Sequence, residues 1–200
     1  MLRHSTYWGY MVYQYRFKLI TSVFLMAALS LVAGCTAEDE ASPDAAGGMQ
    51  LRSAAFEDGG DIQAQYSCDG AGISPPLVWD HLPGETASLV LIMDDPDAAM
   101  GTWVHWLLYN IPPGTVGLPE DLAGKSGMPP GSQQGENSWK REAYGGPCPP
   151  SGEHRYFFRL YALDRRLAMD SGAQKKELIA AMEGHVLDQV QLVAHYRRPQ

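Results

Sequence analysis

Two carboxylates and two imidazoles are the groups in this chain best suited to chemistry. Asp95 and Asp97 stand in an Asp-Pro-Asp-Ala stretch, His105 in Val104-His-Trp106, and His154 in Glu153-His-Arg-Tyr156. Between the two histidines runs Tyr144-Gly145-Gly146-Pro147-Cys148-Pro149-Pro150, a loop stiffened by proline. Such polar groups are costly to bury unless they satisfy each other or a ligand, so their grouping points to one small polar pocket. Adjacent glycines permit positive φ and expose successive N–H groups, which together form an anion-binding concavity. A neighbouring carboxylate favours the imidazolium form, and an imidazolium makes strong, charge-assisted hydrogen bonds to phosphate oxygens.

The elements that must position these groups are mostly strands. Ser88–Met93 is an apolar β-type run, Trp103–Ile111 mixes aromatic and aliphatic residues, and Arg155–Leu163 does so more densely. Persistent extension beyond the first run puts Asp95 and Asp97 on one face and Asp94 on the other. Strict alternation in the second groups His105 with Trp103, Leu107 and Tyr109, opposite Val104, Trp106 and Leu108. Pro-Pro and Pro-Gly pairs between the runs mark turns. Gln174–Glu183 reads as a helix with Leu178, Ile179 and Met182 on one face and Gly184 as its stop. Alternation at Val190, Leu192, Ala194 and Tyr196 suggests a closing strand. The fold class is mainly β, with antiparallel or mixed sheets, long Pro-rich loops and one or two short helices.

The N-terminal part reads differently. Arg16 and Lys18 precede an apolar run from Leu19 to Ala33, and small residues lead into Cys35. That order describes a secretory signal, and its ending resembles the lipobox of bacterial lipoproteins, with Cys35 as the lipidated residue. An ordinary signal, or an uncleaved anchor, with an incidental Cys35 is the alternative, and Met11 is an alternative start to Met1. Residues 1–34 are therefore the expected signal and 35–50 a small, acidic tether. Residues 51–200 make one domain with a proper core. The leader holds three of the 15 Lys and Arg and none of the 23 Asp and Glu, leaving twelve cations against 23 acids, a formal charge of −11. Such a surface argues against nucleic acid as partner and against electrostatic adhesion to anionic lipid. The membrane is then reached through the acyl chains alone. Export leads to a disulfide-permissive compartment; a Cys68–Cys148 bridge is the hypothesis, and two free thiols the alternative. The expected location is a periplasm-facing membrane, the outer one where a cell has two, because Thr36 rather than Asp follows Cys35.

The motifs D-P-D-A, V-H-W with L-Y-N-I-P, and Y-G-G-P-C-P-P-x-G-x-H-R-Y-x-F-x-L-Y-A-L-D resemble the phosphatidylethanolamine-binding protein family. The likeness is greatest to its bacterial, Raf-kinase-inhibitor-like branch. Tyr66–Gly70, Ser74–Trp79 and Ala181–Val186 agree in order and spacing, so the resemblance spans roughly residues 50–197. It implies a β-sandwich-like domain with one large antiparallel sheet and a small pocket for phosphate-like groups, including a phospholipid head group. Carried over, that pocket comprises Asp95, Asp97, His105, His154 and the Gly145-Gly146-Pro147 loop, with Tyr144 and Tyr156 as further walls. The chain departs from the pattern at Ala99-Met100, where many members have proline. The kinase-inhibitory role of eukaryotic members does not carry over to an exported lipoprotein.

Three other readings compete. Two His and two Asp are able to ligate zinc, but the pair resembles an anion pocket more, so neither metal nor cofactor is expected. A phosphoester hydrolase using His105 or His154 as base lacks an activated nucleophile, since no G-x-S-x-G elbow surrounds Ser151. A Pro-rich segment, Gly124–Gly135, is a candidate surface for a protein partner such as a protease or kinase.

Overall fold

The computed structural model describes residues 47–122 and 127–199. The signal, Cys35, most of the tether, Ala123 and residues 124–126 of the Pro-rich segment lie outside them.

The described chain is mainly β: two sheets and one α-helix. Strands β1 (Gln50–Arg52), β3 (Leu77–Asp80) and β6 (Gly117–Leu118) form a small sheet in the order β1-β3-β6. The large sheet runs β2-β9-β8-β4-β5-β7, from β2 (Gly60–Asp61), β4 (Ser88–Asp95), β5 (Trp103–Ile111), β7 (Gln133–Gln134), β8 (Glu153–Leu163) and β9 (Val186–Arg197). All its pairings are antiparallel except β2 with β9. Folded structure begins within the expected tether, since Met49 is buried and Gln50 opens β1.

Every residue of β4 is buried, which explains a continuous apolar run where a half-exposed strand would alternate. Leu89, Leu91 and Met93 join the core shared with Leu51, Leu77 and Trp79 of the small sheet. Val90 and Ile92 join a second core on the opposite face, closed by Leu167 and by Leu178 and Met182 of helix α1 (Lys175–Met182). Gln174 and Glu177 form a capping box at the start of α1, and Gly184, at φ +76°, turns the chain into β9. That strand starts four residues before the alternation suggested, because its first turns of chain are exposed on both faces.

One irregularity positions the site. Met93 pairs with Trp106 but Asp94 pairs with Val104, so His105 is an extra residue without a partner on β4. This β-bulge reverses the alternation of β5. Trp106 and Leu108 face the first core, Leu107 and Tyr109 the second, and Val104 packs with the second core too. The expected grouping of His105 with Leu107 and Tyr109 is thereby corrected.

Candidate functional site

At the end of the large sheet, β5, β4 and β8 lie side by side and contribute Trp103, Asp95 and the pair His154 and Tyr156. Trp103 is the register partner of Asp95. His154 Nδ1 donates to Asp95 Oδ2 at 2.7 Å, and both residues are buried. A carboxylate only accepts, so the hydrogen belongs to Nδ1 and Nε2 is left over for a ligand. The other oxygen of Asp95 accepts the Asp97 N–H at 2.8 Å, which turns the chain at Pro96. This turn ends the extended geometry on which a shared face for Asp95 and Asp97 depended. Asp97 instead takes the Arg155 guanidinium in a fork, 2.9 Å from Nε and 2.7 Å from Nη2, and accepts the Arg155 backbone N–H at 3.0 Å. The arginine holds its carboxyl at about 2. Asp97 is thus committed to Arg155 and forms no part of the pocket wall.

The glycine loop works differently from a nest of open N–H groups. Neither Gly145 nor Gly146 has positive φ, and the Gly145 N–H is consumed by the His105 carbonyl at 2.9 Å. What requires glycine is close approach. A Cβ on Gly145 would sit 2.4 Å from the Trp139 ring, and one on Gly146 would sit 2.6 Å from the Tyr66 carbonyl oxygen. The Pro147 carbonyl accepts the Cys68 N–H at 3.0 Å, and Cys68 and Cys148 are disulfide-bonded with their Cα atoms 5.4 Å apart. Tyr144 packs edge-on against Trp106 and donates to the Tyr66 carbonyl at 2.7 Å. Tyr144, Gly145, Gly146 and Pro147 therefore shape the pocket from behind rather than line it.

The cavity itself measures about 360 Å³. Asp95, His105, His154 and Tyr156 form its polar side; Trp103 and Trp139 form an aromatic side; Met100 and the exposed Cys148 and Pro150 stand at its mouth. His105 is set edge-on between Trp139 and Tyr156, with ring centroids 5.0 and 5.1 Å away. Burial pushes its imidazole down, and its Nδ1 donates to the Gly145 carbonyl at 2.7 Å. Burial pushes the Tyr156 phenol up, which keeps it a donor. Yet its O–H finds no acceptor, although the Cys148 backbone acts on its oxygen, and the indole Nε1–H of Trp103 has no partner either. Among the described residues these are the two buried side-chain polar atoms left unsatisfied, and both belong to walls of this cavity. No cluster of three or more His, Cys, Asp or Glu suited to a metal occurs among the described residues.

Trp103 and Trp139 escaped the sequence reading as site residues. Trp103 was visible only as an aromatic neighbour of His105. Trp139 carries the signal of a lone indole in a polar stretch, brought inward by Asn137, whose Oδ1 accepts the Trp139 N–H at 2.9 Å.

The phosphatidylethanolamine-binding protein family model matches residues 52–197. The chain belongs to the phosphatidylethanolamine-binding protein family. Among its relatives in that family, a UPF0098 protein of Methanothermobacter thermautotrophicus is 53% identical over 150 residues, covering 75% of this chain and 99% of the relative. A crystal structure of a phosphatidylethanolamine-binding protein homologue from Chlamydia trachomatis superposes with a TM-score of 0.71 at 41% identity, covering 76% of this chain and 99% of that one. Escherichia coli YbcL, described as a member of the mammalian family, gives a TM-score of 0.72 at 27% identity, covering 76% and 100%.

Proposed function

We propose that this family member is a binding protein whose cavity takes a small oxyanion, such as phosphate or a phosphate-bearing head group. One observation carries the reading. Two buried donors, Trp103 Nε1–H and Tyr156 O–H, lack partners and wall the same opening as the Asp95–His154 pair. Leaving such groups unpaired costs about 1–3 kcal/mol each, a cost removed by a ligand oxygen that accepts from both. His154, oriented by Asp95, adds a third group at the same place. The protein works as an exported lipoprotein held to a periplasm-facing membrane through Cys35, as the signal-like N-terminus suggests. Its acidic surface suits a membrane attachment that depends on acyl chains rather than on charge.

Titration calorimetry of the full chain with inorganic phosphate and with phosphoethanolamine tests the pocket. Saturable binding that weakens roughly tenfold or more in Tyr156→Phe supports it, since one hydrogen bond to a charged group contributes about 1.5–3 kcal/mol. Binding unchanged in both Tyr156→Phe and Trp103→Phe would move the ligand elsewhere.

A further inference from the structure

We infer that His105 makes the pocket selective for an oxyanion that keeps an acidic hydroxyl, hydrogen phosphate being the simplest, over one without any, such as sulfate or a phosphodiester. This rests on the oxyanion reading above.

The geometry of His105 fixes which ring nitrogen is free. Its Nδ1 lies 2.7 Å from the Gly145 carbonyl oxygen, which only accepts, so Nδ1 carries the hydrogen. The Gly146 backbone also acts on the ring, more weakly than that of Gly145, and the Gly145 contact is the one that fixes the tautomer. A neutral ring protonated at Nδ1 has a bare lone pair on Nε2. Burial keeps the ring neutral and outweighs the pull of the Asp95 and Asp94 carboxylates. Trp139 and Tyr156 pack edge-on against the ring, with centroids 5.0 and 5.1 Å away, and hold it in place at the cavity wall.

The cavity thus offers donors from Trp103 and Tyr156 and an acceptor from His105. A ligand oxygen without hydrogen would set lone pair against lone pair at Nε2. An oxygen carrying a proton would complete a hydrogen bond there. Buried groups left unpaired are the strongest known basis for rejecting a close analogue. Charge adds a second reason against sulfate, though not against a singly charged phosphodiester, because no Lys or Arg lines the cavity and the adjacent Arg155 is engaged by Asp97. A permanently doubly charged anion therefore finds no permanent cation among the lining residues.

The test is calorimetric titration of the full chain at neutral pH with inorganic phosphate, sulfate and dimethyl phosphate. At that pH phosphate retains at least one hydroxyl, whereas the other two have none. Sulfate is doubly charged and dimethyl phosphate singly charged, so charge alone cannot weaken both relative to phosphate. Phosphate should bind at least about tenfold more tightly than either. His105→Asn keeps an amide able to reach the Gly145 carbonyl but removes Nε2, and should narrow the phosphate-to-sulfate ratio to roughly threefold or less. Sulfate or dimethyl phosphate binding as tightly as phosphate to the wild-type chain overturns the selectivity and leaves the oxyanion pocket standing. A folded His105→Asn with the full ratio intact also overturns it. No binding of any of the three removes the pocket reading itself.

Discussion

His105 and Gly145 hold each other through two hydrogen bonds: the Gly145 N–H donates to the His105 carbonyl at 2.9 Å, and His105 Nδ1 donates to the Gly145 carbonyl at 2.7 Å. The bulged residue of β5 is thus clamped by the glycine loop, and loop and strand form one unit. That relationship turns an irregularity in strand pairing into a fixed imidazole at the cavity wall.

Gly145→Ala should break this unit. The new methyl group would lie 2.4 Å from the Trp139 ring, with the His105 clamp holding the backbone in place. Overpacking of this kind costs about 1–3 kcal/mol. Denaturant unfolding of the variant should show a lower midpoint, and phosphate affinity should fall as Trp139 leaves the wall. An unchanged midpoint would mean that the loop has room to shift.

Much of this was legible in the chain. The apolar runs marked β4, β5 and β8 because strands need them, and Asp95, His105, His154 and Tyr156 do meet at one cavity. The bulge at His105 was not legible, since alternation assumes perfect pairing and the extra residue is set by the partner strand. Nor was the fate of Asp97 legible, since its fork with Arg155 joins residues 58 apart in sequence. In the sequence the glycines point to open N–H groups, whereas what requires them is the closeness of Trp139 and Tyr66, which only the folded chain reveals.

Asp94 and Asp95 are neighbours with separable roles. Asp94 is 1% exposed, 2.5 Å from Arg159 Nη1, and also bonded to Lys175 on the α1 side of the sheet. Asp94→Asn should cost about 3 kcal/mol of stability, the low end for breaking a buried pair, because its two cations reach solvent. Phosphate affinity should change little. Asp95→Asn should lower affinity about tenfold or more, because His154 loses the carboxylate that orients it. Calorimetry and unfolding curves on both variants check this, and the opposite pattern would exchange the two roles.

Acid should weaken the fold in two windows. The His105 imidazole is pushed below its ordinary 6.5, so the unfolded chain binds that proton first and stability declines as pH falls through 6.5. Asp97 is lowered from 3.8 to about 2, so its contribution is complete above 3.8 and lost as pH falls towards 2. Because Arg155 is half exposed, screening holds that second contribution to about 1 kcal/mol. Thermal midpoints against pH should lose the upper slope in His105→Asn and the lower one in Asp97→Asn. Profiles identical to wild type would contradict both assignments.

The disulfide spans 80 residues and joins the pocket loop to the segment after the Ala64–Tyr66 turn. Closing a loop of that length stabilises by about 4 kcal/mol in the chain-entropy treatment. Both cysteines are exposed, so a dithiol should reduce the bond in the folded protein. Reduction should lower the unfolding midpoint and weaken phosphate binding, because Cys148 stands at the cavity mouth. Full affinity after complete reduction would show that the remaining hydrogen bonds hold the loop by themselves.

The most direct measurement is the indole Nε1–H resonance of Trp103 in the full chain, assigned by its loss in Trp103→Phe and followed during phosphate titration. A saturable downfield shift is expected as the unpaired donor gains a charged acceptor. A Trp103 resonance that stays in place while phosphate binds would contradict the assignment of this cavity as the anion site.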